Sequence, residues 1–259
     1  MLLDCRAFTC TIHAVSWTNE TMDAAWSPRY GHSACGLNGK LYLMAGLLPQ
    51  PSHDIWVSLD GGRTWGKSGT GGTAGWTPRA FASLTSWQGT MYLFGGSNLQ
   101  QPLVDFYSST DGEDWIQLQH AALSPPARTL APMLPFGGRL WLFPGTEGPS
   151  GGIWWTTQNG AAWTQVASGN TFGTVRQFGV AALPHSLLVV GGFSRDVKGR
   201  ITYDNEVWNS TINLFCEKQG AVCGSHGYCT GVAGVDAVSA KCNCDPNYVE
   251  ASNCTIKVC

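Results

Sequence analysis

Charge is what this chain has least of. Asp, Glu, Lys and Arg make up 12% of its 259 residues, and the net charge is −2. In a typical soluble domain about a quarter of the residues are charged. The balance makes no case for a basic patch, so neither nucleic acid nor an acidic membrane surface is an expected partner. No apolar run reaches the length of a membrane span, and no membrane segment is expected in this chain. An uninterrupted secretory h-region is missing too: in MLLDCRAFTCTIHAVSW, Asp4 and Arg6 break the apolar stretch. So little charge also argues against amphipathic helices. Gly, with 33 residues, and Trp, with 12, are abundant instead. That composition fits short strands joined by tight turns. The length suits one large all-β domain or two smaller ones with a sizeable core.

A repeat organises most of the chain. An Arg followed by small and apolar residues recurs as PRYGHSAC at Arg29, PRAFASL at Arg79, ARTLAPML at Arg128 and VRQFGVAAL at Arg176. The steps are 50, 49 and 48 residues. Each copy continues into an apolar strand closing on glycine (LYLMAG, MYLFGG, LWLFPG, LLVVGG), then an aromatic strand (DIWVS, DFYSS, GIWWT, NEVWN). In three copies a turn and a tryptophan follow, DGGRTW to Trp65, DGEDW to Trp115 and NGAAW to Trp163. The first two strands meet at Asn38-Gly39, Gln88-Gly89, Gly137-Gly138 and His185-Ser186. The first three pairs suit two-residue hairpins, where positive φ favours Gly or Asn. Small residues suit the first strand to a crowded innermost position. The nearly continuous apolar second strand predicts cover on both faces. The fourth offers one large Trp to the layer between units. Four antiparallel strands per unit of this length predict a propeller blade.

The pattern Arg-x-x-His-Ser, Leu-Tyr-Leu-x-x-Gly, Asp-x-Trp, Trp resembles the kelch repeat. SLDGGRTW, Ser58 to Trp65, also resembles the Asp-box hairpin of sialidases and related propellers. The resemblance covers residues 13–213, with blades starting near residues 29, 79, 128 and 176, and implies an all-β propeller of four-stranded antiparallel blades. Residues 13–17 read as a stray fourth strand. Trp17 lies 12 residues before Arg29, as Trp65, Trp115 and Trp163 lie 14, 13 and 13 before their next Arg. This strand either closes the ring, which removes exposed edges, or is what remains of a truncated blade. Kelch rings usually have more than four blades, so truncation is the expectation.

Seven of the ten cysteines fall in the last 44 residues. Cys216, Cys223, Cys229, Cys242, Cys244 and Cys254, with HGYC before the third and CNC at the fourth and fifth, resemble an EGF-like module over residues 216–254. Sequence alone leaves the connectivity open. The resemblance implies pairs 216–229, 223–242 and 244–254. A module this small is held by disulfides rather than by a core. Zinc is disfavoured, because no paired C-x-x-C is present. The module lacks the acidic cluster of the calcium-binding subtype, so no calcium site is expected. Cys259 is left over, Cys5 and Cys10 are candidates to pair with each other, and Cys35 suits a buried small residue. Disulfides predict an oxidising, extracellular compartment, secreted or in a receptor ectodomain. The sequons at Asn19 and Asn209 agree with this; the one at Asn253 is a poor acceptor if Cys254 is bridged.

Candidate chemistry weighs against catalysis. Several arginines can clamp a carboxylate, as sialidases do, but Arg29, Arg79, Arg128 and Arg176 occupy one place in every copy and are better read as bonding backbone. A nucleophilic Tyr-Glu pair with an acid does not assemble. Tyr30 and His32 beside Cys35 resemble part of the copper site of galactose oxidase, itself a kelch-type propeller. A second histidine ligand is missing, however, and His53, His120 and His185 fall in turns or linkers. Asp60 is expected to cap its own turn. Trp87, at a hairpin tip, breaks the core spacing, as Trp155 does, and is the candidate ligand contact. The leading expectation is therefore a non-enzymatic binding or adhesion module without a cofactor or metal, its protein or carbohydrate ligand held by propeller loops. Four segments, 47–53, 97–103, 146–151 and 193–205, are read as loops between second and third strands. The alternative is a glycan-acting hydrolase or oxidase whose catalytic residues lie partly outside this chain. An intracellular kelch adaptor would fit the absent leader but not the cysteine tail.

Overall fold

The computed structural model describes residues 18–69, 75–119, 125–146, 152–156, 162–165, 177–183, 186–195 and 198–211. It also describes the backbone of short strands nearer both ends. Two of these come first, β1 (Leu3–Arg6) and β2 (Thr9–Ile12), paired antiparallel. Three four-stranded sheets follow. The first is β3 (Ser33–Leu37), β4 (Lys40–Met44), β5 (Ile55–Ser58) and β6 (Gly66–Lys67). The second is β7 (Ser83–Trp87), β8 (Thr90–Phe94), β9 (Phe106–Ser109) and β10 (Ile116–Gln117). The third is β11 (Met133–Phe136), β12 (Arg139–Leu142), β13 (Trp154–Thr156) and β14 (Trp163–Gln165). In each sheet, strand order follows chain order and every neighbour is antiparallel.

The turns form where the sequence provides for positive φ. Asn38 and Gly39 have φ of 50° and 76°, Gln88 and Gly89 49° and 76°, Gly137 and Gly138 57° and 69°. Two left-handed residues in a row match the twist of the flanking strands. In the outer turn of the first sheet, Asp60 accepts from the Thr64 backbone N–H at 2.9 Å and the Thr64 hydroxyl at 2.7 Å, while the Ser58 hydroxyl donates to it at 2.9 Å. Those bonds, the Thr64 amide first, hold the Asp60 carboxyl down at about 2. Asp111 repeats the arrangement with the Glu113 and Asp114 amides.

Alternation along the second strands sorts the core into layers. On β8, Met91 and Leu93 face a cluster shared with Tyr42, Met44 and Ile55 of the first sheet. Tyr92 and Phe94, on the opposite side, join Leu140, Leu142 and Trp163 of the third. On β12, Trp141, with the following Phe143, turns the other way to meet Leu187 and Val189. β8 and β12 are thus buried on both faces, the continuous apolar reading of MYLF and LWLF, while on β4 Tyr42, Leu43 and Met44 are buried and Leu41 is exposed. Each fully buried side chain contributes roughly 1.5–3 kcal/mol. The first strands β3, β7 and β11 are neighbours in turn. Their small residues let the Ser33 hydroxyl donate to the Ala82 carbonyl at 2.8 Å and the Ser83 hydroxyl to that of Ala131.

The fourth sheet departs from the expected pattern. β15 (Gly179–Leu183), β16 (Ser186–Arg195) and β17 (Ile201–Thr211) make three strands among the described residues. Residues 193–195 and 201–205, read as part of a loop, are strand. Phe193 pairs with Tyr203 and Arg195 with Ile201, so the ladder continues nearly to the turn around Gly199. A register shift beside Gly191 absorbs the strand break that glycine makes in the earlier units. The aromatic and β-branched residues beyond it resume pairing. Nearer the end, β18 (Phe215–Cys216) pairs with β19 (Ala221–Val222), and β20 (Gly227–Thr230) with β21 (Lys241–Cys244). Cys229 stands opposite Cys242 on the last pair. Residues 13–17, Arg176, His185, Cys223, Cys254 and Cys259 lie outside the described residues, as do all side chains of the cysteine tail. No helix among the described residues is long and apolar enough to cross a membrane.

Candidate functional site

Each described arginine of the repeat is a buried strut. Arg79 Nε donates to the Thr77 carbonyl at 3.0 Å and Nη1 to that of Gly95 at 2.8 Å. Both terminal nitrogens grip the Asp105 carboxylate, at 2.6 and 2.7 Å. Arg29 does the same with Ser27, Ala45 and Asp54. Arg128 donates to the Pro126, Phe143 and Gly152 carbonyls, Gly152 standing where the other units have Asp. The bidentate fork fixes the start of the third strand relative to the end of the second. The backbone bonding expected of these arginines is present. The Asp54 and Asp105 partners were missed, although the Asp opening DIWVS and DFYSS signalled them.

The same arginines hold the loops. The Gly46 and Gly96 amides donate to the Arg79 and Arg128 carbonyls at 2.9 and 3.0 Å. The Arg79 amide donates to Ser52 of the preceding unit at 2.9 Å. Segments 47–53 and 97–103 are thereby strapped to the start of the next unit, at one end of the sheets. Residues 147–151 of the third such segment lie outside the described residues.

That end carries strained, apolar residues. Phe81, Leu99 and Leu130 have φ of 61°, 70° and 51°, which bulky L-residues rarely adopt. Such residues cost on the order of 1–3 kcal/mol each and cluster at ligand sites. The Phe81 amide donates to the Gly31 carbonyl at 2.7 Å and the Leu130 amide to the Phe81 carbonyl at 2.9 Å, linking the three units stepwise. Tyr30 is 60% exposed, Leu99 52% and Leu130 40%. The Tyr30 and Phe81 rings lie 5.9 Å apart. Gly31 makes room, since a Cβ there would sit 2.5 Å from the Phe81 ring. The sequence signal was a bulky residue two after Arg79 and Arg128, Phe81 and Leu130, but it reads as more of the small-residue strand.

This face offers apolar and aromatic contact. Burial pushes the Asp54 carboxyl up, but hydrogen bonds from Arg29, Ser52 and Trp56 outweigh it and bring it to about 2. A carboxyl so low is ionised at neutral pH and no general acid. Its ionised form stabilises the fold above its ordinary value of 3.8, and that contribution is lost as pH falls towards about 2. Stability is therefore expected to fall between about pH 4 and about pH 2. Asp54→Asn should flatten that slope in urea titrations at stepped pH; an unchanged slope would exclude Asp54 as a cause.

The other sequence candidates are placed apart. Trp87 closes β7 at the opposite, hairpin end, half-buried against the second core cluster with its ring 6.3 Å from Tyr92. His32 sits 6.3 Å from the Trp26 ring, and burial followed by the Arg29 charge lowers its pKa. Cys35, opposite Tyr42, is a free thiol that burial pushes up to about 12. Among the described residues no group of three or more His, Cys, Asp or Glu side chains could hold a metal ion. Asn19 and Asn209 are both exposed. Two tryptophans three residues before an Arg were overlooked: Trp26 packs edge-on to Trp65, and Trp76 edge-on to Trp115.

No family model matches the chain. A stretch of 95 residues is 38% identical to dynein regulatory complex subunit 7 of Chlamydomonas reinhardtii. The match takes in 34% of this chain and 8% of that protein, so the chain is similar to a small part of it.

Proposed function

We propose that the chain is a β-propeller of kelch and Asp-box blades followed by an EGF-like module. Its role is non-enzymatic binding outside the cell. The ligand, a protein or a glycan, sits on the loop end of the sheets against Tyr30, Phe81 and Leu130. One observation carries the reading: bulky residues held in left-handed backbone at this end, with apolar surface exposed. The Arg–Asp struts support it by making the platform rigid before a ligand arrives, which lowers the ordering cost of binding. Exposed Asn19 and Asn209 fit a secretory route. The test is a glycan array and a panel of purified receptor ectodomains probed with the whole chain. A Tyr30→Ala, Leu130→Ala variant should lose roughly 2 kcal/mol or more of binding, about 30-fold in Kd, at unchanged melting temperature. Trp87→Ala should bind normally. Loss with Trp87→Ala and none with the double variant would move the site to the other end.

The similarity to a dynein regulatory complex subunit supports a second reading, a scaffold module that binds a neighbouring subunit inside a large assembly. The two differ in compartment. Bridged tail cysteines in the natural protein favour the first, and free thiols throughout favour the second.

A further inference from the structure

We propose that Cys5 and Cys10 form a disulfide across the β1–β2 hairpin, a cross-link separate from the cysteine tail. The register places the two residues directly opposite each other, with Arg6 opposite Thr9 and Leu3 opposite Ile12. Only Ala7 and Phe8 connect the strands. In a two-residue hairpin the pair next to the turn, here Arg6 and Thr9, exchanges backbone hydrogen bonds. By the alternation of an antiparallel ladder, Cys5 and Cys10 then occupy a non-hydrogen-bonded site. The Cα atoms of such a site are about 4.5 Å apart, within the span a disulfide bridges. The hairpin has reason to need a bridge. β1 and β2 form a two-stranded sheet among the described residues, and a two-stranded hairpin by itself is marginal in water. Cys35 is no competitor, because its half-buried thiol is held far from the thiolate form.

Formation follows ordinary exchange. One thiolate attacks an incoming disulfide, oxidised glutathione or a protein disulfide donor, and expels one donor thiolate. The second cysteine thiolate then displaces the other, forming the Cys5–Cys10 bond. The pair loses two protons and two electrons, and the donor is reduced to two thiols. Only the oxidant rests on the extracellular reading.

Trypsin provides the test, because Arg6 lies between the two cysteines. The whole chain is secreted from cultured cells, alkylated, freed of N-glycans and digested without reduction. The peptide ending at Arg6 and the peptide 7–29 each hold one cysteine. They should travel as one species, neither alkylated, and separate on reduction. In a second arm, purified chain is reduced and refolded in mixed reduced and oxidised glutathione; the pair should re-form, and Cys10→Ser should leave Cys5 open to alkylation. Separate, alkylated peptides in both arms, or a bridge from Cys5 or Cys10 to any other cysteine, overturn the proposal. If every cysteine of the natural protein is free while the pair re-forms in glutathione, the extracellular reading falls and the pair stands.

Discussion

Replacing Arg79 by alanine should cost about 3–5 kcal/mol, the range for removing one partner of a buried ion pair. The Arg79 side chain is fully buried and its Asp105 partner 18% exposed. The change leaves a carboxylate without its fork and strips donors from the Gly95 and Thr77 carbonyls. It also removes a cation from over the Trp76 and Tyr107 rings, 5.3 and 5.5 Å away. For a domain of this size each kcal/mol lowers the melting temperature by about 2–4 °C. Arg79→Lys should recover little, because a point charge cannot replace a planar fork that bonds both carboxylate oxygens. The paired change Arg79→Met, Asp105→Leu should be milder than Arg79→Ala, since no charge is then left unpaired. Thermal and urea unfolding of the three variants decides it. If Arg79→Ala melts within a degree or two of the parent, the strut is not what holds the second unit together.

A single methyl group gives the second large effect. Gly96 has φ of 90°, and a Cβ there would sit 2.7 Å from the Ala80 carbonyl oxygen and 3.1 Å from Ala82. Neither neighbour is the end of a flexible side chain, so the backbone must move. Gly96→Ala should cost the left-handed penalty of about 1–2 kcal/mol together with overpacking of about 1–3 kcal/mol. Gly89→Ala is the matched control. Gly89 also has positive φ, 76°, but nothing lies within 4 Å of its would-be Cβ. It should lose about 1–2 kcal/mol and no more. Equal losses at both sites would mean that the close approach of Gly96 to Ala80 and Ala82 within the second unit is not real. A loss confined to Gly96 would mean that the loop end tolerates no slack.

Much of the architecture was legible because the repeat states it several times over. Any one copy of LYLMAG or DIWVS is an ambiguous apolar run. Three copies in register predict the hairpins, and Asn38-Gly39, Gln88-Gly89 and Gly137-Gly138 form them. Asp60 was readable as a turn cap because its acceptors need only residues within the same turn. The fourth unit was less legible. Its Gly191-Gly192 looks like the strand break of Gly95-Gly96, but pairing with β17 carries the ladder past it. Local punctuation could not foretell that, because the partner lies across a turn and a bulge.

The proposed binding face was least legible of all. In the sequence Tyr30 stands beside His32, and Phe81 and Leu130 read as members of an inner strand. Phe81 and Leu130 take left-handed backbone where their amides bond the Gly31 and Phe81 carbonyls of the preceding unit, and Leu130 is left exposed. By itself, the amino-acid sequence determined the antiparallel sheets, their turns and the alternation that sorts Met91 and Leu93 from Tyr92 and Phe94. These depend on residues close along the chain and on a period of two. Only the tertiary structure decided which carboxylate each arginine grips and which glycines admit no side chain. It also decided which apolar residues are turned out to solvent. Those depend on groups well separated along the chain, such as Arg79 and Asp105, brought together when the strands of one unit pair or when one unit packs on the next.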